Sequence, residues 1–157
     1  MDFNDLIFIV EDDHFYGSAI SAYLESKGYS NIEIYHTGKE CLRNLYKRPQ
    51  LVLLDYNLQD IVGMNVLLGI IAFDANTPVV FISGQESIQM AIETLKYGAY
   101  DYIQKDNKAF DKLSDIIKRI GVSRVKVLEY KKNKVERRIV MGLLMVALLL
   151  ALTFVSI

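Results

Sequence analysis

The chain has a single cysteine, Cys41, in 157 residues, and no tryptophan. One thiol excludes an intramolecular disulfide and fits a reducing compartment. The opening residues, Met1 to Asp5, hold no cation, so a cleaved secretory leader is not expected. Net charge is nearly absent, at −1, which leaves no bulk attraction toward nucleic acid. Internal repeats and low-complexity tracts are missing too, which argues against a repeat array. Charge is nonetheless divided along the chain. Residues 1–120 hold 17 acids and 11 bases, residues 121–138 hold 2 acids and 7 bases, and the last nineteen residues hold neither. The length suits one domain of ordinary size, ~100 to 150 residues, with an extension.

Five short aliphatic or β-branched runs stand out: Ile7 to Val10, Ile32 to Tyr35, Leu51 to Leu54, Val79 to Ile82 and Tyr100 to Ile103. Their length and composition predict strands buried on both faces. Helical spacing fills the intervals, with Phe15, Ala19, Ala22 and Tyr23 before Gly28, and Cys41, Leu42 and Leu45 before Pro49. It recurs in Val66, Leu67, Ile70 and Ile71, and in Ile88, Ala91, Ile92 and Leu95 before Gly98. A fifth helix, roughly 108–120, aligns Phe110, Leu113, Ile116, Ile117 and Ile120 on one apolar face. Strands alternating with helices predict an α/β domain built on a doubly wound parallel sheet with right-handed crossovers.

Such sheets hold ligands outside the carboxyl ends of their strands. There the sequence places Glu11 and Asp12 after the first run, Asp55 after the third, Ser83 after the fourth and Lys105 just past the fifth. Three carboxylates brought together would repel one another, and a hard divalent cation relieves this; magnesium favours carboxylate, water and phosphate oxygens. With a hydroxyl and an ammonium opposite, the set fits phosphorylation of a carboxylate, one acid acting as nucleophile. Taken singly, each residue has a plainer role. Glu11, Asp12 and Asp13 could cap the next helix, Asp55 and Ser83 could start turns, and Lys105 could be a solvated surface side chain. Their ordered occurrence after successive strands favours the pocket.

Over about residues 5–120 the chain resembles the receiver domain of bacterial two-component response regulators. The matching segments are Ile7-Phe8-Ile9-Val10-Glu11-Asp12-Asp13, Leu53-Leu54-Asp55-Tyr56-Asn57-Leu58 with Gly63 beyond, Phe81-Ile82-Ser83-Gly84, and Gly98-Ala99-Tyr100-Asp101-Tyr102-Ile103-Gln104-Lys105. The resemblance implies a flavodoxin-like five-stranded sheet of order 2-1-3-4-5 and a phosphoacceptor at Asp55, supplied by a histidine kinase or histidine phosphotransfer protein. It implies that magnesium is held by Glu11, Asp12, Asp55 and the backbone carbonyl of Asn57. It implies further that Lys105 and Ser83 contact the phosphoryl oxygens and that Tyr102 changes rotamer as Ser83 moves, with readout on the face of the fourth helix, fifth strand and fifth helix. Three positions depart from the usual pattern: Gln59 and Asp106 stand where proline is common, and Gly84 where alanine is. The conformation of the Lys105-Asp106 peptide is therefore open. Asn57 and Gln85 flank the site, so slow self-dephosphorylation is expected and turnover of a metabolite is not.

Two other classes compete. A phosphatase of the haloacid dehalogenase type wants a second acid two residues after its nucleophilic aspartate, where this chain has Asn57. A membrane-tethered interaction module with a receiver fold, signalling without phosphorylation, remains open.

Residues 121–138 read as a basic, helical or partly ordered connector. A short coiled-coil seam is conceivable there, although Lys131 and Lys132 interrupt it and fewer than three heptads are available. Residues 139–157 are nineteen uncharged residues, twelve of them Leu, Ile, Val or Phe. As a helix they would reach ~28 Å, close to the ~30 Å hydrocarbon core of a bilayer, and they are expected to form a transmembrane helix. All the flanking bases precede the segment, which predicts an inner-membrane protein with its receiver on the cytoplasmic side. Ala147 and Ala151 offer one small-xxx-small spacing for pairing of spans. Neither a DNA-binding nor a nucleotide-cyclase output is expected. Output by contact with a membrane or membrane-proximal protein, and a phosphorylation-dependent homodimer, complete the expectations.

Overall fold

A computed structural model describes residues 1–84 and 87–155, with side chains described as far as residue 145. The chain divides into two units, 1–120 and 121–157. In the first, strands β1 (Ile7–Val10), β2 (Ile32–Tyr35), β3 (Leu51–Leu54), β4 (Val79–Ser83) and β5 (Asp101–Gln104) alternate with helices. The helices are α1 (His14–Ser26), α2 (Gly38–Asn44), α3 (Gly63–Phe73), α4 (Ile88–Lys96) and α5 (Ala109–Val155), with a 3-10 turn at Leu45–Lys47. The sheet is parallel with order β2-β1-β3-β4-β5, the flavodoxin-like arrangement.

Successive side chains of a strand point to opposite faces, and this alternation makes two cores. Ile7, Ile9, Leu51, Leu53, Val80, Ile82 and Ile103 pack with Ile20 and Leu24 of α1 and with Leu113, Ile116, Ile117 and Ile120 of α5. Phe8, Val10, Val52, Leu54, Val79 and Phe81 pack together with Cys41 and Leu45 and with Val66, Leu67 and Ile70 of α3. Strands β1, β3 and β4 are buried throughout, whereas the edge strand β2 is only half-buried. An edge position supplies neighbours on one side alone, so the expectation of burial on both faces fails for both edge strands, β2 and β5; β5 buries Ile103 alone and runs one residue later than the expected 100–103.

Two helices turn differently from the spacing prediction. The inward side of α1 carries Gly17, Ile20 and Leu24, with Tyr16 and Tyr23 half-buried, while Phe15 is 84% exposed. Glycine hid that face, because Gly17 has no side chain to count as apolar. In α4 the one buried residue is Thr94, and Ile88, Ile92 and Leu95 face solvent. Beyond Ile120, residues 121–155 are helical and belong to α5. Among the described residues no helix is long and apolar enough to cross a membrane, and most of the expected span, 139–157, lies outside the residues whose side chains are described.

Candidate functional site

The parallel ladder determines where the polar residues leave the sheet. Val10 pairs with Leu54, Leu54 with Phe81, and Ser83 with Gln104, so four strands end at one edge. The hydrogen bonding continues one residue further: Asp55 N donates to Val10 O at 2.9 Å, Glu11 N to Tyr35 O at 2.9 Å, and Lys105 N to Ser83 O at 2.8 Å. Backbone pairing thus fixes the roots of Glu11, Asp55 and Lys105, leaving only their side chains to converge.

They do converge. Lys105 Nζ lies 2.7 Å from Glu11 Oε2 and 2.9 Å from Asp55 Oδ2, and it sits over the Tyr16 ring at 4.5 Å. Carboxylate oxygens of Glu11, Asp12 and Asp55 all fall within 4.8 Å of one another. Glu11 is 1% exposed and Asp55 7%. Burial, reinforced by the charge of Asp55 and opposed by Lys105, pushes the Glu11 carboxyl up to about 7. For Lys105, burial pulls downward, but hydrogen bonds to Glu11 and Asp55 outweigh it and hold the ammonium above its ordinary value. Two buried acids therefore share one cation. That donor set, three carboxylate oxygens close together and under-compensated, fits a hard divalent ion with oxygen ligands.

The structure separates the roles of the three consecutive acids. Asp13 caps α1, accepting from Phe15 N at 2.9 Å and Tyr16 N at 3.2 Å, and so leaves Glu11 and Asp12 to the pocket. Asn57 begins the loop after β3; its N–H points toward Asp55 Oδ1 at 3.4 Å, and it bridges to Val62. Ser83 is fully buried as the last residue of β4. Tyr102 lies on β5 opposite Phe81, half-buried against the second core. The Lys105-Asp106 peptide is trans. Gln85 lies outside the described residues.

Three supporting residues escaped the sequence reading. Tyr16 covers Lys105, and His36 Nδ1 sits 2.9 Å from the Glu11 carbonyl. Asp60 accepts from Gly38 N at 2.9 Å and Lys39 N at 3.0 Å, tying the loop after Asp55 to the start of α2. Burial works against the charged form of Asp60, yet these backbone donors hold its carboxyl below the usual range. Gly63, already part of the matching segment, has a packing reason: a Cβ there would collide with the carbonyl oxygen of Asp55, and its N–H donates to Tyr56 O at 2.8 Å. These contacts join segments distant in sequence, so only the cap at Asp13 had a local signal.

Residues 7–118 match the response regulator receiver domain. The chain belongs to that family. Receiver domains accept a phosphoryl group on an aspartate, bind magnesium at an acidic pocket and exchange phosphoryl groups with histidine kinases or phosphotransfer proteins; the cluster of Glu11, Asp12 and Asp55 is such a pocket in this receiver. The receiver is 33% identical over 102 residues to the regulatory protein LuxO of Vibrio vulnificus, an alignment covering 64% of this chain and 22% of that protein. It thus spans less than a quarter of that relative. A chain of the CheX-CheY-BeF3-Mg complex from Borrelia burgdorferi superimposes with a TM-score of 0.68 at 25% identity, covering 74% of this chain and 88% of its own. A CheY-like receiver domain protein from Methanospirillum hungatei gives 0.70 at 26%, covering 78% and 98%.

Proposed function

We propose that Asp55 is the phosphoacceptor of this receiver, switched by magnesium-dependent phosphorylation, with output by protein-protein contact. The observation that carries this reading is the convergence of Glu11, Asp12, Asp55 and Lys105 at one sheet edge, with Lys105 bridging two buried carboxylates. Glu11, Asp12, Asp55 and the Asn57 carbonyl would hold magnesium, which neutralises charge developing on the transferred group. An Asp55 carboxylate oxygen attacks phosphorus in line as the bond to the donor breaks, on a histidine nitrogen of a kinase or phosphotransfer protein, or in a small acyl phosphate. Lys105 then turns toward the phosphoryl oxygens and Ser83 donates to one of them, with Tyr102 following. The added charge acts by recruiting charge-assisted hydrogen bonds. Asn57 would help orient water for slow hydrolysis, making the receiver a timed switch and not a metabolic enzyme. The solvent-facing Ile88, Ile92 and Leu95 of α4 supply apolar contact area for a partner. Nothing in the charge balance favours nucleic acid.

Mass spectrometry after incubation with acetyl phosphate and magnesium tests the assignment. An adduct of one phosphoryl group is expected in the wild type and none in Asp55→Asn; persistence in the variant would overturn it.

For residues 139–157 we infer a membrane anchor, with 121–138 as its basic cytoplasmic flank and the receiver on the cytoplasmic face of the inner membrane. Length, lack of charge and the cations preceding the segment support this. Fractionation without detergent should place the full chain with membranes and a chain ending at residue 138 in the supernatant. Recovery of both in the supernatant would remove the anchor.

A further inference from the structure

We propose that the helical segment 124–139 pairs with the same segment of a second copy as a parallel two-stranded coiled coil, independently of phosphorylation. Written as heptads abcdefg with Val125 at a, the a positions are Val125, Lys132 and Ile139, and d positions include Leu128 and Val135. All five are exposed on helix α5, with Leu128 at 65%. β-Branched residues at a with leucine at d favour two strands, and one polar residue at a sets register and strand number at some cost in stability. Lys132 occupies that place, its methylene stem able to lie along the seam while the ammonium reaches water.

The charges choose the partner and its direction. Residues 121–138 contain two acids, Glu129 and Glu136, and both fall at e. The g positions Arg124, Lys131 and Arg138 are all basic. In a parallel pair each g side chain meets the e side chain five residues onward in the other helix. Arg124 then faces Glu129 of the second copy, and Lys131 faces Glu136. An antiparallel pair would instead set base beside base and acid beside acid. Within one helix Lys132 and Glu136 lie 4.0 Å apart, and such a pair leaves the exposed apolar seam uncovered. A surface helix lying on anionic lipid would gather its bases on one face. Here they occupy a, b, c, f and g, all around the helix. Lys131, which looks like an interruption of the seam, is one of its pairing residues.

Disulfide trapping of the full chain in unfractionated cell lysate tests the proposal. The native thiol Cys41 is buried, and substitutions in 124–139 lie outside the receiver unit. Leu128→Cys and Val135→Cys, at d, should give at least about fivefold more crosslinked dimer than Tyr130→Cys and Lys134→Cys, because only seam positions approach disulfide distance. Glu129→Lys with Glu136→Lys should lower the yield at d by at least about tenfold, four attractive contacts becoming repulsive. Adding Arg124→Glu and Lys131→Glu should restore it. Equal crosslinking at all four positions, none at d, or no restoration by the charge exchange would overturn the parallel seam. Asp55→Asn should leave the crosslinking unchanged; its loss there would assign pairing to the phosphorylated receiver and overturn independence from phosphorylation.

Discussion

Glu11 makes this fold sensitive to pH in a direction opposite to that of most carboxylates. Its carboxyl rises from the ordinary 4.5 to about 7, chiefly through burial, with Asp55 adding to the effect and Lys105 opposing it. Between those two values the folded chain binds more protons than the unfolded chain. Stability contributed by the protonated Glu11 is therefore complete below about pH 4.5, falls as pH rises and is gone above about 7. At ~1.4 kcal/mol for each pH unit of difference, the loss is roughly 3 kcal/mol. Glu11→Gln keeps the shape and removes the titration. Urea denaturation of both proteins in a chelating buffer, from pH 4.5 to 8, should show the wild type losing about 3 kcal/mol relative to the variant as pH rises. Magnesium should reduce that loss in the wild type, since a ligand of the folded chain stabilises it by mass action. A difference between wild type and variant that stays flat across the range would refute the assignment of Glu11 as a buried acid with too little compensation.

Lys105→Met should cost about 2 to 4 kcal/mol in chemical denaturation at pH 8, because it strands two buried carboxylates; the penalty should shrink near pH 5, where Glu11 is protonated, and a pH-independent cost would contradict the ion-pair geometry. Gly63→Ala should destabilise by more than ~1 kcal/mol and slow phosphorylation, since the added methyl meets the Asp55 carbonyl oxygen, whereas Gly84→Ala, with nothing within 4 Å of the new carbon, should stay within about 0.5 kcal/mol. Equal effects of the two alanines would show that the loop before α3 yields freely. Cys41 is fully buried and its thiol is pushed up to about 12 by burial, so labelling by a thiol reagent at neutral pH should track unfolding; rapid labelling in native buffer would disprove its burial.

The strand ends were legible because two signals coincide there. Each apolar run stops at a residue whose chemistry differs sharply from the run itself, and a parallel sheet carries those stops to a common edge. Helix faces were less legible where the inward residues are small or polar. Gly17 on α1 and Thr94 on α4 are buried, yet neither registers as apolar, and Phe15 and Ile88 were assigned to the core when they face solvent. The supports of the pocket were invisible for another reason. Asp60 acts on residues twenty-two positions earlier, and Tyr16 acts on Lys105 from the other end of the domain. Periodicity carries no information about such pairs until topology brings them together.

The same geometry explains how a charge placed on Asp55 would reach a distant surface. Lys105 Nζ already spans Glu11 at 2.7 Å and Asp55 at 2.9 Å, so a phosphoryl group on Asp55 would compete with Glu11 for the same ammonium. The Lys105 backbone is held to the Ser83 carbonyl at 2.8 Å, and Ser83 pairs with Gln104 across β4 and β5. The backbone that carries the ammonium is thus tied to the carboxyl end of β4, from which the chain continues into α4. That helix buries Thr94 alone, whose hydroxyl donates to Ala91 O at 2.9 Å, and leaves Ile88, Ile92 and Leu95 in solvent. An element with so few buried contacts opens at low cost in free energy. The helix that follows Ser83 thus buries a single side chain, and one or two charge-assisted hydrogen bonds, about 1.5 to 3 kcal/mol each, are of the size that would bias such an element.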